Sequence, residues 1–159
     1  GVADKLIYRN DPPGDVRAYD LFTGRRVWSF HTVPRDAEPG SETWKRHSNR
    51  YTGHTNVWAP MSVDRERGLV YLPVSTPSNA YFGGNRPGAN LYADSLVCLE
   101  AATGKLRWHR QLVHHGLWDY DAPADLNEAN TVEIQIGANP AQAQFIYTVR
   151  DMKVLTAKP

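Results

Sequence analysis

The sequence predicts an all-β chain, and three observations carry that expectation. Helical periodicity is almost absent along its 159 residues. Short apolar runs alternate with clusters of Gly, Pro, Asn and Asp. One pattern, a tight turn followed by a Trp, occurs twice in register.

Six strands are legible in order. Asp15 to Asp20 and Arg26 to His31 form the first pair. Gly68 to Val74 is rich in β-branched and aromatic residues, which suit a pleated sheet. Ser95 to Glu100 and Leu106 to Leu112 follow, and Phe145 to Val149 is the last. Turn signals separate them: Asn10 to Gly14, Glu38-Pro39-Gly40, Asp64 to Gly68 and Gly83 to Gly88.

The repeat narrows the architecture. Ala18-Tyr19-Asp20-Leu21-Phe22-Thr23-Gly24-Arg25-Arg26-Val27-Trp28 is matched by Cys98-Leu99-Glu100-Ala101-Ala102-Thr103-Gly104-Lys105-Leu106-Arg107-Trp108. An acid and a Thr bond backbone N–H groups in the turn, and Gly supplies the left-handed residue. Trp then lies four residues on, along the returning strand, where it fills the gap between stacked sheets. The two copies stand 80 residues apart. A propeller blade takes roughly 40–50 residues, so the interval is one enlarged blade or nearly two; the long loops at 32–56 and 75–94 favour one. The expectation is two to three blades of a β-propeller. The strands are too few to close a ring, so the chain is expected to need the remaining blades as partners.

Composition excludes other classes. Net charge is +1, which gives no field for nucleic acid. No apolar run approaches the roughly 18 residues that span a bilayer. The first five residues, Gly1 to Lys5, lack the pattern of a signal peptide. The single Cys, Cys98, sits in an apolar run and reads as a small buried residue.

More specific segments are His31-Thr32-Val33-Pro34, Thr55 to Ser62 (TNVWAPMS), Gly83 to Gly88 (GGNRPG) and Val113 to Asp121 (VHHGLWDYD). In this order, with the Trp repeat, they resemble the pyrroloquinoline quinone (PQQ) dehydrogenases, eight-bladed quinoprotein propellers, and within them the membrane-bound glucose/quinate branch. The resemblance runs from about residue 3 to residue 126, and 127–159 match poorly.

What that resemblance implies is a set of roles. Oxidising an alcohol carbon requires a base for the hydroxyl proton, a cation to polarise the quinone and a flat surface for the cofactor. Asp119, directly after Trp118, takes the place of the base, with Asp121 as the weaker alternative. Trp58 takes the place of the floor beneath the quinone, and Thr55 and Asn56 lie beside it. His115, or its neighbour His114, faces the pocket; His31 and His54 are lesser candidates. Thr76 stands where related alcohol dehydrogenases carry a metal-binding Asn, and a neutral hydroxyl is a weak ligand for Mg or Ca. Arg86 reads as a structural loop contact.

The family pattern lapses towards the end. Gln142 falls near the place of a quinone-binding cation, and Arg150 to Leu155 lacks the Gly of a third repeat turn. The resemblance therefore implies part of a PQQ- and divalent-cation-dependent dehydrogenase. It would oxidise a sugar or polyol and pass electrons to ubiquinone, on the periplasmic side of the inner membrane. Two other readings stand beside it. A non-catalytic propeller scaffold would share the Trp repeat, though it has no need of Trp58, Asp119 and the His114-His115 loop together. A small β-sandwich binding module would require the two repeats to be unrelated to blade packing.

Overall fold

The computed structural model describes residues 10–117, Asp119 and Asp121, and the backbone of four further strands at 124–126, 131–135, 144–150 and 153–158. Every regular element other than three short 3-10 turns is a strand. The strands fall into three antiparallel sheets, all built from chain neighbours.

The first sheet is a hairpin of β1 (Val16–Tyr19) and β2 (Arg26–Phe30). The second is a meander of β3 (Ser62–Asp64), β4 (Leu69–Val74), β5 (Ser95–Glu100) and β6 (Leu106–Gln111). The third is a meander of β7 (Ala124–Leu126), β8 (Thr131–Gln135), β9 (Gln144–Arg150) and β10 (Lys153–Lys158). Two four-stranded meanders and a hairpin match the expected all-β, partial-propeller class.

Burial explains which strands the sequence announces. All six residues of β4 are buried, as are five of the six in β5. Their continuous apolar runs mark strands covered on both faces. Pro73 is tolerated in β4 because the pairing with short β3 ends at Tyr71. By contrast β6 lies at the sheet edge and is mostly exposed. At three residues, β3 is too short to show any alternation, and the sequence gives no sign of it.

The last segment corrects a second expectation. The sequence offers one strand after residue 126, yet the structure has three, β8, β9 and β10. Arg150 pairs with Lys153, so only two residues intervene.

The core lies between the hairpin and the second sheet. Val70, Leu72, Val74, Tyr92, Val97 and Leu99 form it, with Val16, Trp28 and Phe30 packed against it from β1 and β2. Trp28 Nε1 donates to the Ala101 carbonyl at 2.9 Å, which ties β2 to the β5–β6 turn. The 80-residue interval between the repeats is therefore one enlarged blade. Cys98 is fully buried, and burial pushes its thiol up to about 12, as befits an inert core residue.

Candidate active site

Three loops meet beside the second sheet. The stretch 52–61 precedes β3, 75–94 joins β4 to β5, and 112–121 follows β6. The first two run side by side: Thr55 N donates to Thr76 O at 3.2 Å, and Ser75 N to Asn56 O at 2.9 Å. His54 bridges Pro13 on one side and Pro77 on the other.

The backbone here is bent against its preference. Among the described residues nine non-glycine positions have positive φ, and six belong to these loops: His54, Thr55, Asn79, Asn90, Asp94 and His115. Each such residue costs on the order of 1–3 kcal/mol, and persists only where surrounding contacts over-determine it. Arg86 supplies many of those contacts. Its buried guanidinium donates to Ser78 O (3.2 Å), Asn79 O (3.4 Å), Asn90 Oδ1 (2.9 Å) and Gly116 O (2.5 Å). It thus joins the second loop to the third.

Thr55 and Asn56 are buried, and their side chains are engaged within the protein. Thr55 Oγ1 donates to Gly53 O at 2.9 Å, and Asn56 Oδ1 accepts from Ser75 Oγ at 3.1 Å. Trp58 is the opposite case. It is 57% exposed, so its ring faces solvent, yet its polar edge is fixed. Trp58 Nε1 donates to Asp121 Oδ2 at 2.6 Å. The other oxygen of Asp121 accepts from Thr76 N at 2.8 Å. One carboxylate therefore joins all three loops. Both of its oxygens are engaged, and Asp119, two residues earlier, is the more exposed of the two. Of the two Asp candidates for the base, Asp119 has the more accessible position.

Thr76 is fully buried. Its hydroxyl donates to Asp94 Oδ1 at 2.7 Å. Asp94 is the titratable residue that sequence reasoning missed, because an Asp just before a strand reads as an ordinary turn residue. Burial pushes its carboxyl up to about 7, against the Thr76 hydrogen bond and the Arg86 charge; the charges of Asp121 and Asp119 push it further up. Its second oxygen, Oδ2, is buried without a hydrogen-bond partner.

His115 lies at the same junction. Its Nδ1 is 3.1 Å from Asn90 Oδ1, and its ring occupies the space a β-carbon on Gly83 would take. Burial and the nearby Arg86 lower its pKa. His114 is exposed. His31 is elsewhere, with Nδ1 2.8 Å from Glu38 Oε1. Trp118 and Gln142 lie outside the described residues. The structure thus brings Trp58, Thr76, Asp119, Asp121 and His115 to one loop junction.

Comparison with known proteins decides the family. The model of the family "PQQ: Glucose/ethanol/alcohol dehydrogenase, beta-propeller domain" matches residues 1–147. The chain belongs to this family. The quinoprotein glucose dehydrogenase of Escherichia coli is 40% identical over 124 residues, covering 77% of this chain and 15% of that protein. The quinate/shikimate dehydrogenase (quinone) of Acinetobacter baylyi is 41% identical over 128 residues, with the same coverage of each. A solved quinohemoprotein alcohol dehydrogenase of Pseudomonas putida superposes with a TM-score of 0.71 at 25% identity, covering 92% of this chain and 24% of that one. The chain therefore spans about 15% of the length of these curated relatives. The quinoprotein propeller expected from the repeat and the loop motifs is the family's own fold, and PQQ is the cofactor in the family's description.

Proposed function

We propose that the chain forms one wall of the quinone site in a PQQ-dependent dehydrogenase that oxidises a sugar or cyclitol alcohol. The observation that carries the proposal is the Trp58 ring, held at its polar edge by Asp121 at the loop junction that also carries Asp119 and His115. A planar cofactor needs such a platform. When bound, PQQ supplies an acceptor for the two electrons and hydrogen of the alcohol carbon.

The protein's own groups do the rest. Trp58 stacks the cofactor and fixes its plane. Asp119 accepts the hydroxyl proton as the C–H hydrogen leaves with its electron pair. His115 lines the junction, held in place by Asn90. Thr55 and Asn56 shape the edge beside Trp58 through their backbone, since their side chains are engaged internally.

PQQ with a divalent cation, Mg or Ca, is the cofactor pair of this reading, and Thr76 is the described residue expected to face that cation. The Thr76 hydroxyl is buried and committed to Asp94, and among the described residues no group of three His, Cys, Asp or Glu is arranged to hold a metal. Ubiquinone as the acceptor and the periplasmic face of the inner membrane belong to the same proposal, from kinship with quinone-reducing relatives. Among the described residues no helix is long and apolar enough to cross a membrane.

Titration with PQQ tests the reading. Tryptophan fluorescence should be quenched in the chain, and the quenching should fall away in Trp58→Ala. Equal quenching in both proteins rejects the platform. Steady dehydrogenase turnover by the chain alone, with PQQ and Mg²⁺ or Ca²⁺, would overturn the claim that it is one wall of a larger site.

A further inference from the structure

We infer that Asp121 is a positioning residue, which fixes the ring plane of Trp58 and so sets the angle of the platform that receives the cofactor. The inference rests on the quinone reading above and adds to it a residue that touches neither substrate nor cofactor.

Geometry carries it. A ring more than half exposed has few packing neighbours to hold its side-chain torsions. The Asp121 bond at 2.6 Å is the restraint on its polar edge. That bond is charge-assisted, roughly twice as strong as one between neutral groups. It is also anchored, because Asp121 Oδ1 accepts from Thr76 N in the loop that opens directly after β4. Thr76 in turn is locked by its hydroxyl bond to Asp94. The chain of contacts runs from a buried carboxyl, through backbone at the end of a fully buried strand, to an exposed aromatic plate.

Two alternatives for Asp121 are weaker. As a general base it would take the substrate proton on an oxygen that already holds a protein donor. As a plain turn residue it would bond its own neighbours, whereas its partners are 63 and 45 residues away. A platform is useful to a planar ligand only when its tilt is fixed before binding, since ordering it afterwards subtracts from affinity.

The test has one arm without ligand and one with it. Tryptophan labelled with ¹⁵N gives one indole N–H signal per ring, and Trp58→Phe assigns that of Trp58. In Asp121→Ala the Trp58 indole N–H should exchange with solvent at least about tenfold faster, the loss expected for a charge-assisted hydrogen bond. The other four indole signals should keep their positions. Asp121→Asn keeps one acceptor for two donors and should fall between. In the second arm PQQ affinity should drop about tenfold in Asp121→Ala and by a similar factor in Trp58→Phe, which keeps a flat ring and loses the N–H. The double variant should then lose little more than either single one. Trp58→Phe leaves Thr76 untouched, so it separates loss of tilt from loss of the loop. An unchanged Trp58 exchange rate in Asp121→Ala overturns the inference, as does PQQ affinity that survives Asp121→Ala while the native chain binds. Absence of PQQ binding in the native chain with the exchange effect intact overturns the quinone reading, and with it the role assigned to Asp121.

Discussion

The two copies of the turn repeat are built alike and differ, among the described residues, in what packs on them. In the first, Asp20 Oδ1 accepts from Thr23 Oγ1 and Thr23 N, both at 2.7 Å, and Gly24 N donates back to Asp20 O at 2.9 Å. In the second, Glu100 Oε2 accepts from Thr103 Oγ1 at 2.8 Å, and Gly104 N donates to Glu100 O at 2.8 Å. Both glycines are left-handed, with φ of +67° and +70°. The difference lies above the glycine. The Trp28 ring covers Gly104 so closely that a β-carbon there would lie 2.6 Å from it, while among the described residues nothing lies within 4 Å of a β-carbon at Gly24. Leu21 and Phe22 beside Gly24 are 89% and 94% exposed, and the corresponding residues of the second copy are the small Ala101, which accepts from Trp28, and Ala102. Local hydrogen bonds are thus enough to make the turn. Contact with a Trp from the preceding sheet makes it a joint between sheets.

The largest way to break that contrast is Trp28→Ala. It removes a ring packed on the core and the bond to Ala101 O. Truncating a large core aromatic costs about 3–5 kcal/mol, and partial exposure puts Trp28 near the lower end. The midpoint of urea unfolding should fall accordingly. A loss under about 1 kcal/mol would mean that the two sheets are held together without the Trp.

A finer test substitutes both glycines. Gly24→Ala and Gly104→Ala share the cost of a left-handed Ala, about 1 kcal/mol. Only Gly104→Ala must also displace the Trp28 ring, which adds about 1–3 kcal/mol of overpacking. Thermal unfolding should show Gly104→Ala as clearly the more damaging. Equal losses would show that the ring shifts freely and that the joint is loose.

The same contrast explains what was legible beforehand. The turns were readable because acid, Thr, Gly and Trp act within eleven residues of one another. β4 and β5 were readable because burial on both faces leaves unbroken apolar runs. The loop junction was readable only by likeness to a family, through Trp58, Asp119 and the His114-His115 segment. Its internal wiring was not. Asp94 and Thr76 lie 18 residues apart, and Trp58 and Asp121 lie 63 apart, so no local spacing pairs them. Arg86 was correctly read as structural, yet nothing around it in the sequence shows that it reaches Gly116, 30 residues on.

The smallest effects, and the most discriminating, concern pH. Among the described residues an acid accepts from a Thr hydroxyl three times: Asp20 with Thr23, Glu100 with Thr103, and Asp94 with Thr76. In the exposed turns that bond lowers the carboxyl pKa, and Arg107 helps at Glu100. At Asp94 burial outweighs it and the pKa rises to about 7. The signs of the stability effects are therefore opposite. For Asp20 and Glu100 the unfolded chain binds protons more readily, so their contribution is present above about pH 4 and is lost as pH falls through the folded values. For Asp94 the folded chain holds the proton more tightly, so stability declines as pH rises from about 4 to 7. Asp94→Asn should flatten that upper decline and leave the acid limb unchanged. Removing the Thr should raise every one of the three carboxyl pKa values, as carboxyl NMR titration would show. Thr23→Val should raise Asp20 only part of the way, because the Thr23 and Phe22 backbone N–H groups still donate to its Oδ1, and Thr103→Val should leave Glu100 still below its own ordinary value, because Arg107 Nη1 remains 2.8 Å from its Oε1. If Thr103→Val returns Glu100 to its ordinary value, the Arg107 pair contributes nothing, which is the common fate of a surface ion pair.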